Sequence, residues 1–501
     1  MSFSTDRNDE ERPFNTLQRV YTYEEAISSA GTGKFQYFLL LVCGLCAVAG
    51  ASETVGVSVI MYSAQCDLNF SLQEKGILAT ASIVGIIFSL YITGYLCDTK
   101  GRVLILKWTL LISICFSVIS VFSINTWMLI SMRFMTGFFI ASSLSCVFTY
   151  LGEFHGNKTK TTPMTILSSC LVIGILYVNV MAYMVLPLDF TAISQHIQSW
   201  RVLLVVYILP SILGFLGLLF LPESPKFLLT MEQHSESQEI FRRVFNINTK
   251  KPPGHYPCYN VFLDDSELLH ADARGMWKQT IQLFKRERIF QTVNMSIINF
   301  TICVIGVGIT MWLPSILFYL ERNGEKEKSV CSALRNSTPN SDSDICPGDL
   351  NIDHFNTLIW ISTALLFYYV ISSAIVDSLG KKRLLLIWFT LGTFSAFTMF
   401  WSEIYVYSIV ALTLICQMGK FHGIVLSIAA DYYPPNINAM GVCFVTMVSN
   451  VGLVVGGNIT GALFLNYCDY LFFGVAFIMI IIIILTTMLP KECNGSVVTE
   501  T

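Results

Sequence analysis

The sequence predicts an all-helical membrane protein of about twelve transmembrane helices, arranged as two pseudo-symmetric six-helix bundles. Three observations carry that expectation: a composition too apolar for a water-exposed surface, a train of apolar runs each long enough to cross a bilayer, and a charged turn that occurs twice. Hydrophobic residues make up 53% of the 501 and charged residues only 13%, against about 25% charged in soluble domains. Mean hydropathy is +0.60. A soluble chain of this make-up could not cover its surface. A net charge of -3 offers no basic footprint for nucleic acid. Of the 15 cysteines, most stand singly in apolar runs, as do Cys43, Cys115, Cys170, Cys303, Cys416 and Cys443. Cysteine serves there as a small hydrophobe, so no metal-ligand set follows and no cofactor is expected.

The elements follow in order. Residues 1–33 form a cytosolic tail whose first stretch, Met1 to Arg19, is polar and charged, without an apolar core or a small-residue cleavage site, so the first apolar run is expected to act as its own insertion signal. Runs of about 20 apolar residues begin near Phe35, Gly76, Val103, Thr126, Thr162 and Trp200, which makes residues 34–221 the first bundle. Residues 222–288 are polar and read as a cytosolic connector with a helical stretch from Ser235 to Val244. Apolar runs resume near Ile289, His354, Leu384, Ile404, Asn438 and Leu471, giving a second bundle over 289–490 and a short tail over 491–501.

Orientation follows from Lys and Arg in short loops. Lys100, Arg102, Lys107, Lys158, Lys160, Lys381, Lys382 and Arg383 join the cations of the connector on one side if both termini are cytosolic. The loop 321–353 then faces the lumen or the outside. It carries the sequon Asn336-Ser337-Thr338, a glycosylation site at Asn336, together with Cys331 and Cys346. An oxidising compartment permits a Cys331–Cys346 disulfide there, the alternative being two free thiols.

The repeated turn reads Gly94-Tyr95-Leu96-Cys97-Asp98-Thr99-Lys100-Gly101-Arg102 after the second helix and Asp377-Ser378-Leu379-Gly380-Lys381-Lys382-Arg383 after the eighth. Each places an acid at a helix end, a glycine-centred tight turn, then cations. That is the chemistry of a charge latch that forms in one conformation and releases in another. A single copy would be an ordinary basic turn. Two at matching positions make an internal repeat, the usual build of secondary transporters.

These two turns resemble the signature loop motif of the major facilitator superfamily. Arg133-Phe134-Met135-Thr136-Gly137 resembles its Arg-x-x-x-Gly element. Tyr150-Leu151-Gly152-Glu153, Trp200-Arg201 and Pro222-Glu223-Ser224-Pro225-Lys226-Phe227-Leu228 resemble the sugar-porter and organic-ion branches. Tyr21-Thr22-Tyr23-Glu24-Glu25-Ala26, Cys66-Asp67-Leu68 and Lys75-Gly76-Ile77-Leu78 resemble the synaptic vesicle glycoprotein 2-like group. The resemblance covers nearly the whole chain and implies the major facilitator fold and gradient-driven alternating access. It also implies gating roles for Gly94, Asp98, Gly101, Arg102, Glu153, Arg201, Glu223, Asp377, Gly380, Lys381 and Arg383. The chain departs from the group in three places. Gly50 stands where a first-helix acid is common, leaving Glu53 alone. Lys158 and Lys160 replace the Arg that usually follows Glu153. Asn438 occupies a position where an Arg is expected after Asp431-Tyr432-Tyr433-Pro434.

Charges at membrane depth cost several kcal/mol unless paired or hydrated, which singles out Glu53, Arg133, Lys420 and His422. Glu53 could bind a cationic solute or relay a proton. The plainer role is a structural carboxylate bonded to Ser52, Ser58 or a neighbouring helix. Arg133 could bind an anion or close a latch. Lys420 could pair with Glu53 across the cavity, or snorkel to an interface. Glycines Gly452, Gly456, Gly457 and Gly461, and the small residues Ala81, Ser82, Gly85 and Ser89, mark close helix contacts, either between the halves or within one.

The expected function is transport of a small organic solute, charged or amphipathic, driven by its own gradient or by a coupled proton or cation, by a monomer in a plasma or secretory-vesicle membrane. The rival is a non-transporting membrane glycoprotein that keeps the fold and acts by binding. A membrane-embedded enzyme is disfavoured because His155, His196, His234, His255, His270, His354 and His422 share no motif.

Overall fold

A computed structural model describes residues 20–156, 159–188, 198–252, 255–262, 281–323, 331, 353–399, 405–433, 438–464 and 467–489. The first six spanning helices are Lys34–Ser63, Leu72–Lys100, Arg102–Val121, Thr126–Glu153, Thr161–Val185 and Ser199–Phe220. The seventh runs over Ile289–Ile302, a π turn at Cys303–Val307, and Gly308–Asn323. The eighth and ninth are Asp353–Leu379 and Lys381–Thr398. The tenth comprises Tyr405–Gln417, a 3-10 turn at Met418–Lys420, and His422–Tyr432, and the eleventh and twelfth are Asn438–Leu463 and Cys468–Thr487. Eleven of these segments are long and apolar enough to cross a membrane. The ninth opens on Lys381, Lys382 and Arg383, which puts it outside that group by charge. The chain is a multi-pass membrane protein.

Close helix crossings come from small residues. On the second helix Gly85 meets the backbone of Phe134, and Gly137 of the fourth meets Ser82, with no room for a Cβ on either glycine. Ser82 Oγ also donates to the Arg133 carbonyl at 3.1 Å. The small face of the second helix therefore serves packing within its own half. The glycines of the eleventh helix divide their work. Gly452 and Gly456 rest on the backbone of the seventh helix at Phe300 and Val304, and Gly461 on the Trp312 ring, all inside the second half. Gly457 instead meets Thr80 of the second helix, where a Cβ would lie 2.9 Å from Thr80 Cγ2, and Asn458 donates to Thr80 Oγ1 at 3.4 Å.

Ahead of the first spanning helix the chain is folded rather than a bare tail. Strand β1 (Val20–Thr22) pairs in parallel with β2 (Asn260–Phe262) from the connector. The helix Tyr23–Ala30 starts in a capping box between Thr22 and Glu25. It packs on the connector helix His234–Thr249, with Tyr23 edge-on to Phe241. Tyr256 donates to the Ala26 carbonyl at 2.8 Å, and Asn248 to that of Gly31 at 2.8 Å. The expected division into tail and connector is thus bridged by one small structured unit.

Cys331 is bonded to Cys468 at the start of the twelfth helix, with a Cα–Cα separation of 5.4 Å, and not to Cys346. This corrects the sequence expectation. Loop spacing is silent about a third cysteine that the fold brings alongside. Cys346 and Asn336 lie outside the described residues. Cys97 and Cys146 are also bonded, joining the second and fourth helices.

Candidate functional site

Three charges sit within spanning helices, about two turns or more from either end. Glu53 (first helix) and Arg133 (fourth) are each 2% exposed, and Arg133 Nη1 lies 2.7 Å from Glu53 Oε2. Two serines of the third helix complete the cluster. Ser117 Oγ donates to Glu53 at 2.8 Å and accepts from Arg133 Nη2 at 3.0 Å. Arg133 Nη2 also donates to Ser120 Oγ. Ser52 is turned away and bonds the carbonyls of Ala49 and Tyr207. The expected Lys420–Glu53 pair is not formed: Arg133 holds the carboxylate from within the same half, and a partner so close leaves no vacancy for a second cation. The missed signal was Ser117 and Ser120, polar residues spaced three apart in an apolar run.

Lys420 ends the 3-10 turn of the tenth helix, at the level where the seventh widens into its π turn. Gly306 and Gly419 bring the two backbones together with no space for a Cβ on Gly306. Single-turn departures of this kind concentrate at functional sites. Lys420 is partly exposed and lies near Cys303 and Cys416. Among the described residues it has no hydrogen bond or ion pair. His422 is only half-buried, its Nδ1 3.3 Å from the Gly419 carbonyl.

The repeated turn has a matching backbone in both halves. Gly101 and Gly380 sit at φ +110 and +86, a region that L side chains avoid. In the first half the charges converge. Arg102 reaches Asp98 at 3.3 Å and Glu153 at 3.0 Å, and its guanidinium stands 5.0 Å over the Phe227 ring. Glu223 accepts from the backbone N–H groups of Arg102, Val103 and Leu104 at 2.8, 3.1 and 3.3 Å, capping the third helix. Tyr150 donates to the Pro222 carbonyl at 2.5 Å, and Tyr23 to the Glu153 carbonyl. Gly94 has open space around it and imposes no close contact. Arg201 is not part of this cluster. It lies on the opposite face, 3.1 Å from Asp67, 2.7 Å from the Val121 carbonyl and 4.4 Å over Trp200.

Lys382 Nζ donates at 2.7 Å to both the Thr487 and Leu489 carbonyls and so closes the C-terminal end of the twelfth helix. The side chain of Asp377 lies outside the described residues. On the face opposite the repeated turns the halves meet through rings: Tyr62 lies 5.0 Å from Phe318 and 6.4 Å from Phe355, centroid to centroid.

Residues 56–319, just over half of the chain, match the family model described as sugar (and other) transporter. The synaptic vesicle glycoprotein 2B of Mus musculus is 27% identical over 344 residues, covering 64% of this chain and 50% of that protein. The synaptic vesicle glycoprotein 2C of Rattus norvegicus is 25% identical over 352 residues, 64% of this chain and 48% of that one. The chain thus spans about half the length of the curated relatives it matches. Among solved structures, a partially occluded inward open conformation of the xylose transporter XylE from E. coli superposes with a TM-score of 0.66 at 13% identity, covering 92% of this chain and all of that one. A D-xylose-proton symporter superposes with a TM-score of 0.65 at 14% identity, over 92% of this chain and 100% of the other. These likenesses establish the major facilitator fold.

Proposed function

We propose, from the premise that this chain belongs to the sugar (and other) transporter family, that it carries a small, charged organic solute across a membrane by alternating access. The observation that carries the reading is the Glu53–Arg133 pair, a carboxylate and a guanidinium 2.7 Å apart and buried inside one bundle. Such a pair is expensive to desolvate, and removing one partner strands the other. A fold seldom keeps it where an apolar pair would pack as well, unless the pair works. A proton or small cation arriving at Glu53 would discharge the carboxylate and free Arg133, giving two states with different partners, which is what a coupling element requires. The Arg102, Asp98, Glu153 and Glu223 cluster is the gate on the face of the repeated turns. We assign that face, and both termini, to the cytosol of a plasma or secretory-vesicle membrane, with the monomer as the working unit.

A second reading, a membrane glycoprotein that keeps the fold and acts by binding, is favoured by Asn438 standing where the resemblance calls for an Arg. Uptake into proteoliposomes of labelled organic anions, cations, sugars and nucleosides, with and without a pH gradient, separates the two. The carrier reading expects saturable uptake whose pH dependence disappears in Glu53→Gln. No uptake of any class by demonstrably folded protein would transfer support to the binding protein.

A further inference from the structure

The charges inside the bundles do not cancel. Glu53 is neutralised by Arg133 at 2.7 Å, which leaves Lys420 as an unmatched cation among the described residues. An ammonium group at that depth costs several kcal/mol unless something pairs with it. Two further groups on the seventh and tenth helices are incomplete. Gln417, one turn before Lys420, is fully buried, and neither its amide oxygen nor its amide nitrogen has a partner among the described residues. Asn299 of the seventh helix is also fully buried with both amide atoms unpartnered. It lies one turn from Cys303, which neighbours Lys420. Buried amides are rarely left without partners, and each exception calls for a missing ligand or water. Gln65, Gln291 and Asn294 each lack only one partner; among the buried amides described, Asn299 and Gln417 lack both, and they stand on the two helices that depart from α geometry where they touch, at Gly306 and Gly419.

We propose that Lys420, Gln417 and Asn299 form the seat of an organic monoanion, with the ammonium group taking its carboxylate and the two amides its neutral polar groups. One cation without a competing acid calls for one negative charge, and amides that both donate and accept suit hydroxyl groups. This rests on the carrier reading and deepens it by naming the substrate class. It also reassigns anion recognition from Arg133, already held by Glu53, to the opposite half.

The test uses glucuronate, glucose and glucosamine, which share one ring and differ in charge, together with lactate and benzoate as unrelated monoanions. Binding is read by thermal shift on the full-length detergent-solubilised protein, and flux separately in proteoliposomes. The expected result is that at least one monoanion raises the melting temperature, that glucosamine does not, and that Lys420→Met weakens anion binding by about tenfold or more. Lys420→Arg should restore part of it. Without ligand, Lys420→Met should melt at or above wild type, because it removes an unpaired charge from within a spanning helix. A marked drop in that ligand-free melting temperature would mean the lysine is structural and overturn the proposal. So would anion binding indifferent to Lys420→Met, or binding of none of the anions. Anion binding without flux would keep this inference and defeat the carrier reading. Saturable glucose or glucosamine flux, unchanged in Lys420→Met, would do the reverse.

Discussion

Glu53 and Arg133 are 80 residues apart in sequence and 2.7 Å apart in space, with Ser117 shared between them. Ser117 gives its hydrogen to the carboxylate and takes one from the guanidinium, so the three side chains behave as a unit. Energies within such units are not additive. Either Glu53→Gln or Arg133→Gln alone should destabilise the folded protein by about 3–5 kcal/mol, because each strands a buried partner. The double variant should cost much less than the sum, which melting of the four proteins in detergent will measure. Additive losses would show that the two residues do not act on each other. The sequence singled out both charges from their depth but not their pairing. Depth follows from the apolar residues on either side, whereas the partner depends on how the first and fourth helices rotate against each other. That rotation is set by packing such as Gly85 on Phe134 and Gly137 on Ser82.

At the scale of elements, the repeated turn shows which parts of a motif are conformational and which are chemical. Gly101 and Gly380 share a positive φ, so both turns need glycine for the backbone itself. At Gly101 a Cβ would also lie 2.7 Å from Glu223 Oε2, against the cap of the third helix. Gly101→Ala should therefore destabilise by about 1–3 kcal/mol, while Gly94→Ala, at an open helical position, should be neutral or slightly stabilising. Equal effects in thermal denaturation would remove the conformational argument. Glu223→Gln keeps the size of the cap but loses its charge, and should weaken it by about 1 kcal/mol. The turns themselves were legible because glycine between an acid and cations is a local pattern. The destination of each charge was not. Arg102 finds Glu153, Arg201 finds Asp67 on the far face, and Lys382 finds the end of the twelfth helix. Those partners come from distant elements, which a local pattern does not name.

For the whole molecule, the twelve-helix plan was readable because spanning a bilayer imposes a length and a polarity on every element. What composition does not encode is which ends of the bundles touch. Here they meet on the face opposite the repeated turns, where Tyr62 from the first half packs on Phe318 and Phe355 from the second. The two contacts join the last turn of the first helix to the end of the seventh and the start of the eighth. If the halves rock about a central site, this cluster must separate in each cycle. A contact fixed in one state stops a machine that needs two. Cysteines placed at Tyr62 and Phe318 and joined by a short, reducible bifunctional reagent should therefore abolish uptake, and reduction should restore it, with wild type treated in parallel as the control for the native thiols. The joined protein should still bind solute, since neither residue belongs to the Glu53 or Lys420 clusters. Uptake that continues at full rate with the pair completely joined would mean that the halves do not part on this face, and the rocking mechanism would have to be abandoned for a path confined to one bundle.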